Sequence, residues 1–335
     1  MALKRSLLIA IVGLAFGRSA SAQSLITELD ATVGASTQEV TAASTQGRIF
    51  GELISGWRYF AEVTWAQVSH PETDHESDAF GAAYPYEGQV RPMELFVEKT
   101  VARPRFLVGT RLGRYRTPFG IYSRSDYGYV GFLRAPLIRY GGYWALSNTF
   151  LETGASVVAG TSHVQAEVSL GTPQDADPET ARPRGLDRVG RLQGSFGSWI
   201  VGTSYIHTQP PKVYWFATGA TEFVGVDARW MKGGVLVRGE FINGREFSGT
   251  RTSGGYVDVL VHRAFMGPMT AVARAERLDY DAGRHSSYPR RYTAGAKVRV
   301  SSIVVANVNV LHAPAHGDEG PESAVDMALT LSFRR

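Results

Sequence analysis

Apolar and polar side chains take turns, residue by residue, through most of this chain. A period of two marks a strand with two unlike faces. Residues 324–333 put Val325, Met327, Leu329, Leu331 and Phe333 on one side, against Asp326, Ala328, Thr330 and Ser332 on the other. Residues 291–300 repeat the pattern, with Tyr292, Ala294, Ala296 and Val298 against Arg291, Thr293, Lys297 and Arg299. Helical spacing is scarce, and the 37 glycines scattered through the runs disfavour helices. The runs are about ten residues long, the length of a tilted strand crossing a bilayer. Read in order they are 25–34, 45–55, 57–67, 90–101, 105–114, 148–159, 162–170, 187–195, 198–208, 221–231, 233–243, 254–265, 269–280, 290–299, 302–312 and 323–333. That makes about sixteen, an even number as in single-chain bacterial barrels.

The connections alternate as well. Short ones fall at Ser55-Gly56, Ala102-Arg103-Pro104, Gly160-Thr161, Gly197, Lys232, Gly267-Pro268 and Ser301. Long ones span 35–44, 68–89, 115–147, 171–186, 209–220, 244–253, 281–289 and 313–322. Short turns on one rim and long loops on the other are the outer-membrane arrangement. Trp57, Trp65, Trp199, Trp230, Tyr59, Tyr205, Tyr256, Tyr280, Tyr292 and Phe333 gather near strand ends, as interfacial girdles would. Strands can cross lipid only as a closed ring with every backbone bond made. The expected fold is therefore all-β, a transmembrane antiparallel β-barrel of about sixteen strands. A ring that wide is too broad for side chains to fill and leaves an aqueous channel.

The N-terminus reads as an export signal. Lys4 and Arg5 precede an apolar run from Leu7 to Phe16, and Ala20-Ser21-Ala22 offers a cleavage site. The expected organisation is a cleaved signal peptide over 1–22 and one barrel over 23–335, in the outer membrane of a Gram-negative-type bacterium. Removing Lys4, Arg5 and Arg18 brings the cations close to the 31 acids, so a nucleic-acid partner loses its support. With no cysteine, the chain has no lipoprotein anchor, thiolate metal site or cysteine nucleophile.

The third long connection carries a motif. Arg111-Leu-Gly-Arg114-Tyr-Arg116-Thr-Pro118-Phe119-Gly120 runs into it, and Gly131-Phe132-Leu-Arg134-Ala-Pro136-Leu-Ile-Arg139-Tyr140 follows. The segment from Gly113 to Gly120 resembles one found in porins, in particular the phosphate-selective porins O and P. The resemblance implies a third loop folded into the lumen and narrowing it, with Pro118, Phe119 and Gly120 making the bend. It also implies a passive channel.

Read from its residues, this loop is basic: Arg114, Arg116, Arg124, Arg134 and Arg139 against Asp126, with no lysine. Guanidinium groups in a confined lumen would attract anions. Alternation points Glu52, Glu62, Glu94, Glu98, Glu152 and Glu167 to the same interior, where they could instead pin the loop through ion pairs. Both readings stand at this stage. The expected constriction and lining are Arg111, Arg114, Arg116, Arg134, Arg139, Glu94 and Glu98. Expected partners are the lipid bilayer and small hydrophilic solutes or anions, and a homotrimer is compatible with so wide a barrel.

Competing chemistry is thin. The cluster from His70 to Asp78 has neither helical His spacing nor the EF-hand pattern, and His312, His316, Asp318 and Glu319 are weaker still. No metal or other cofactor is expected. A hydrolase would need a nucleophile beside a histidine; Ser204 with His207, or Ser156 with a distant histidine, can be assembled, and no Gly-x-Ser-x-Gly elbow occurs. No catalytic residue is assigned. A soluble secreted β protein is the remaining alternative, and it would need a polar outer face.

Overall fold

The computed structural model describes residues 24–38, 40–69, 90–121, 131–139, 151–174, 186–208, 220–246, 249–264, 267–281, 286–287, 289–315 and 320–335. The expected signal peptide, the His70–Asp78 cluster, Arg124, Asp126 and residues 316–319 lie outside them. The strands are β1 (Ser24–Ser36), β2 (Thr41–Glu52), β3 (Trp57–Val68), β4 (Arg91–Ala102), β5 (Leu107–Arg116), β6 (Leu151–Gly160), β7 (Val164–Gln174), β8 (Asp187–Phe196) and β9 (Trp199–Thr208). There follow β10 (Thr221–Lys232), β11 (Val235–Arg245), β12 (Arg251–Ala264), β13 (Met269–Asp281), β14 (Ser286–Ser287), β15 (Arg290–Arg299), β16 (Val304–Ala313) and β17 (Glu322–Arg334). Setting aside the two-residue β14, sixteen long strands each pair antiparallel with their sequence neighbours, and β1 also pairs with β17. The sheet closes on itself and has no edge. Backbone bonds between Thr27 and Arg335 extend the closure to the last residue.

Burial is inverted relative to a water-soluble protein. Large apolar side chains stand outside: Leu95 is 61 % exposed, Val168 58 %, and Val224, Val226, Val257, Leu329 and others follow. Charged groups are enclosed, among them Glu62, Arg191, Asp258, Arg274 and Asp326. Along β10 the alternation is literal, with Phe223 and Asp227 buried and Val224 and Val226 exposed. Such an outer face is unfavourable in water and suited to hydrocarbon.

Turn chemistry sets the register. Between β10 and β11 the turn sits at Gly233-Gly234, one residue beyond the Lys232 expected from sequence. Both glycines have positive φ, 59° and 83°, as a two-residue type I′ hairpin requires. At the short-turn rim Trp199 packs on Trp230 with ring centroids 6.3 Å apart, and Lys99 lies over Trp57. Tyr205, Tyr292 and Phe333 also face outward. Tyr256 does not join the girdle: it is inward and buried, its hydroxyl donating to Glu240.

Candidate functional site

Two parts of the inner face differ in character. On β2–β5, adjacent strands bring Phe50, Phe60 and Phe96 into a stacked row, with centroids 6.1 and 5.3 Å apart. Ionic groups flank it. Arg48 bonds Glu62 at 2.9 Å and Asp30 at 3.2 Å, and Arg116 bonds Glu62 at 2.9 Å and contacts Glu94 at 3.4 Å. Nearer the short-turn rim, Arg58 and Arg111 share Glu98, at 2.9 and 3.1 Å, while the Arg111 guanidinium lies 4.7 Å from the Phe96 centroid. Arg58 remains 54 % exposed and Arg111 26 %, against 9 % for Arg116.

On β8–β13 the inner face carries an apolar cluster among its charged groups, with Val189, Ile206, Phe223, Ile242, Tyr256, Leu260, Val272 and Leu278 buried together with Phe119, Ile121, Phe132, Leu137 and Ile138 of the third connection. This connection runs over 117–150, since β5 continues to Arg116 and β6 starts at Leu151. Arg116 is therefore a strand residue, correcting its expected place in the loop. At Pro118–Gly120, Phe119 N–H donates to the Thr117 carbonyl, and Gly120 has φ of 62°. Gly120 N–H donates to Ser204 Oγ. The Phe119 ring lies over Gly225, where a Cβ would come within 2.9 Å of it. Upstream, Gly113 adopts φ of 128°, and a Cβ there would fall 2.3 Å from the Leu95 carbonyl oxygen, so the motif's first glycine is required by backbone geometry.

Residues 131–139 carry the densest anchoring. Arg134 grips Asp326 with two bonds, Nε to Oδ2 at 2.6 Å and Nη2 to Oδ1 at 2.9 Å, and also reaches Gln38 at 2.9 Å. The partners are 7 % and 0 % exposed. The segment's backbone is held by wall side chains. Asn309 accepts from Leu133 N–H and donates to the Gly131 carbonyl. Arg274 donates to the Arg134 carbonyl, Arg291 to the Ala135 carbonyl, and Glu276 accepts from Leu137 N–H. Those wall groups are themselves paired, Arg274 and Arg238 with Asp258, and Arg291 with Glu276.

Of the sequence-derived residues, Arg111, Glu94 and Glu98 stand on the inward side of β4 and β5. Arg114 does not: its register partner is the outward Leu95, so parity puts it in the outer row, with Nε donating to the Met93 carbonyl. Arg134 is locked to Asp326. Arg139 ends a short 3-10 turn, Leu137–Arg139, and its side chain lies outside the described ones. Arg48, Arg58 and Asn309 were missed, though their inward parity on alternating strands was readable. The Ser204–His207 pair is divided by the sheet. Ser204 faces inward and accepts from Arg191, whereas His207 bonds Glu222, on the row of the exposed Val224 and Val226.

No protein-family model matches this chain, and no curated protein matches it in sequence. Solved structures do. OmpF of Salmonella typhi, in complex with daunomycin, superposes with a TM-score of 0.60 at 10 % identity, covering 92 % of this chain and 97 % of that one. The anion-selective porin from Comamonas acidovorans gives 0.59 at 12 % identity, covering 93 % and 99 %. OmpT, an outer membrane protein of Vibrio cholerae in a trimer form, gives 0.58 at 10 % identity, covering 92 % and 98 %. The fold is that of the outer-membrane porins.

Proposed function

We propose that this protein is a passive outer-membrane porin through which small hydrophilic solutes diffuse. The observation that carries the reading is the inverted burial of a closed sixteen-strand ring: apolar residues outside, ionic ones within. A ring of this size encloses more space than its own wall side chains fill. The contacts of residues 117–121 and 131–139 with inward side chains of β9–β17 support a third loop folded into the lumen and narrowing it. The passage would then lie between that loop and the β2–β5 wall.

The arginines divide by role. Arg134 is read as a loop anchor, since its guanidinium is spent on a buried carboxylate. Any anion preference is assigned to Arg58 and Arg111, two solvent-accessible guanidiniums sharing the single Glu98. Kinship with the phosphate-selective porins O and P rests on the segment from Gly113 to Gly120. We read the chain as a channel and not as a hydrolase; Ser204 and His207, the adjacent serine–histidine pair, sit on opposite faces of the wall. Export through the 1–22 signal and assembly as a homotrimer complete the proposal, the latter by analogy with the trimer form of OmpT.

Planar-bilayer recording of the purified protein tests this. Discrete ohmic conductance steps are expected. Folded protein that inserts without conducting would overturn the pore.

A further inference from the structure

The inner wall carries an apolar strip where a wet lumen favours polar groups. Phe50, Phe60 and Phe96 stand directly opposite one another in the registers of β2, β3 and β4. The row ends at Gly113, opposite Phe96, where no side chain continues it. Neighbouring rings are near-parallel, at 25° and 17°, with the centroid separations given above. Parallel rings that far apart are offset, so each leaves an edge and part of a face unstacked. The three side chains are half-buried, and among the described residues Tyr115, edge-on to Phe96, is the one further ring that meets them. Cross-strand aromatic pairs stabilise a sheet on either face. On the lumen side they also leave apolar area in water, which is unfavourable until a solute covers it.

The charges on the two sides of the strip differ. Towards the long connections, Arg48 and Arg116 are buried against Asp30, Glu62 and Glu94. Towards the short turns, Arg58 and Arg111 share Glu98 and stay open to solvent. Arg111 bonds Glu98 through Nε and Nη2, and Arg58 meets it through Nη2. A guanidinium carries five N–H donors, so both arginines keep donors for a second acceptor. The Arg111 guanidinium lies over the Phe96 ring, which places its donors at the end of the row. Glu52 is the opposing charge: it is exposed, directly across from Arg58, and makes no ion pair among the described residues.

We propose that this strip is a subsite for aromatic carboxylates in transit, an assignment that rests on the reading of the chain as a passive pore. The solute's ring lies across Phe50, Phe60 and Phe96, and its carboxylate takes the unspent donors of Arg58 and Arg111. The electron-rich face of an arene meets the electron-poor edges of the wall rings, and a guanidinium fork matches a carboxylate. A small anion uses the arginines and leaves the rings bare, whereas a neutral arene does the reverse. Only a solute carrying both groups satisfies the whole strip.

Current through the full chain in a planar bilayer, with sodium benzoate or sodium acetate added to one side, tests the site. Benzoate should reduce the open-channel current with a half-effect concentration about fivefold or more below that of acetate, as ring contacts of this kind imply. Phe60→Leu combined with Phe96→Leu should shrink that preference to about twofold or less. Arg111→Gln should weaken the benzoate effect roughly tenfold, through loss of a charge-assisted contact. Glu52→Gln, which removes the opposing charge, should strengthen it. Phe241→Leu, on the lipid face, should leave it unchanged. A conducting channel that treats benzoate and acetate alike overturns the site and leaves the pore reading standing. Full preference in the double leucine variant, or equal loss in Phe241→Leu, also overturns the site. Absence of any conductance step removes the pore reading and the site with it. If the double variant does not insert, Phe96→Leu alone carries the comparison, with a measurable loss of preference expected and an unchanged preference counting against the site.

Discussion

Arg134→Ala separates an anchoring arginine from a selecting one. In the native protein the guanidinium makes two bonds to Asp326 and one to Gln38, with both ion-pair partners almost wholly enclosed. Solvent screening therefore removes little of the effect. Deleting the cation strands a buried carboxylate, which costs about 3–5 kcal/mol. At about 1.4 kcal/mol per tenfold, the docked state of residues 131–139 loses a factor of roughly 100 to several thousand relative to the released one. The backbone grips from Asn309, Arg274, Arg291 and Glu276 remain, so the outcome is intermittent release. Single-channel recording should show a larger, noisier conductance with little change in reversal potential across a KCl gradient. Arg134→Met combined with Asp326→Leu should restore quiet channels, because an apolar pair of similar volume leaves no stranded charge. The reasoning is refuted if Arg134→Ala moves the reversal potential toward cations while conductance noise and thermal stability stay at wild-type values.

Other perturbations probe separate parts. Arg111→Glu replaces one of the two accessible guanidiniums over Glu98 and should shift the reversal potential toward cation preference; an unmoved potential argues against that lining. Phe119→Ala empties the ring's seat over Gly225 and should cost about 3–5 kcal/mol, read as a lower unfolding midpoint and a noisier channel. Gly113→Ala forces a Cβ against the Leu95 carbonyl at φ of 128° and should cost about 1–3 kcal/mol, visible as a lower temperature for loss of the compact band on gels. Leu329→Arg places a charge on the lipid face and should cost about 2–4 kcal/mol of folding into bilayers, whereas Thr330→Arg, one residue along and facing inward, should be tolerated.

The wall was legible in the sequence because lipid and water impose unlike demands on successive side chains. Residues 290–299 were placed to the residue, and most other strands within two or three. The two-residue β14 escaped, being too short to show a period. Arg114 and Arg116 illustrate where alternation fails. A loop read as starting at residue 115 hides that Arg114 keeps outward parity and that Arg116 still belongs to the strand. The loop's apolar seat left a trace that alternation alone does not interpret. Ile206, Phe223, Ile242, Leu260 and Leu278 occupy inward positions where a wet wall would carry polar groups. Five consecutive strands breaking the rule on the same side signal something oily packed within. That Arg134 pairs with Asp326 is a contact across 192 residues, and no local pattern encodes it.

The pairing of the first strand with the last has a consequence for biogenesis. Until Glu322–Arg334 has been synthesised, Ser24–Ser36 lacks one of its two neighbours, and any partial sheet in lipid would leave two rows of amide and carbonyl groups bare. Stable insertion must therefore await the completed polypeptide, and the fastening between the two ends is the step that commits the molecule to the bilayer. A chain shortened by its final strand would be lost at that step, however sound the rest of its wall.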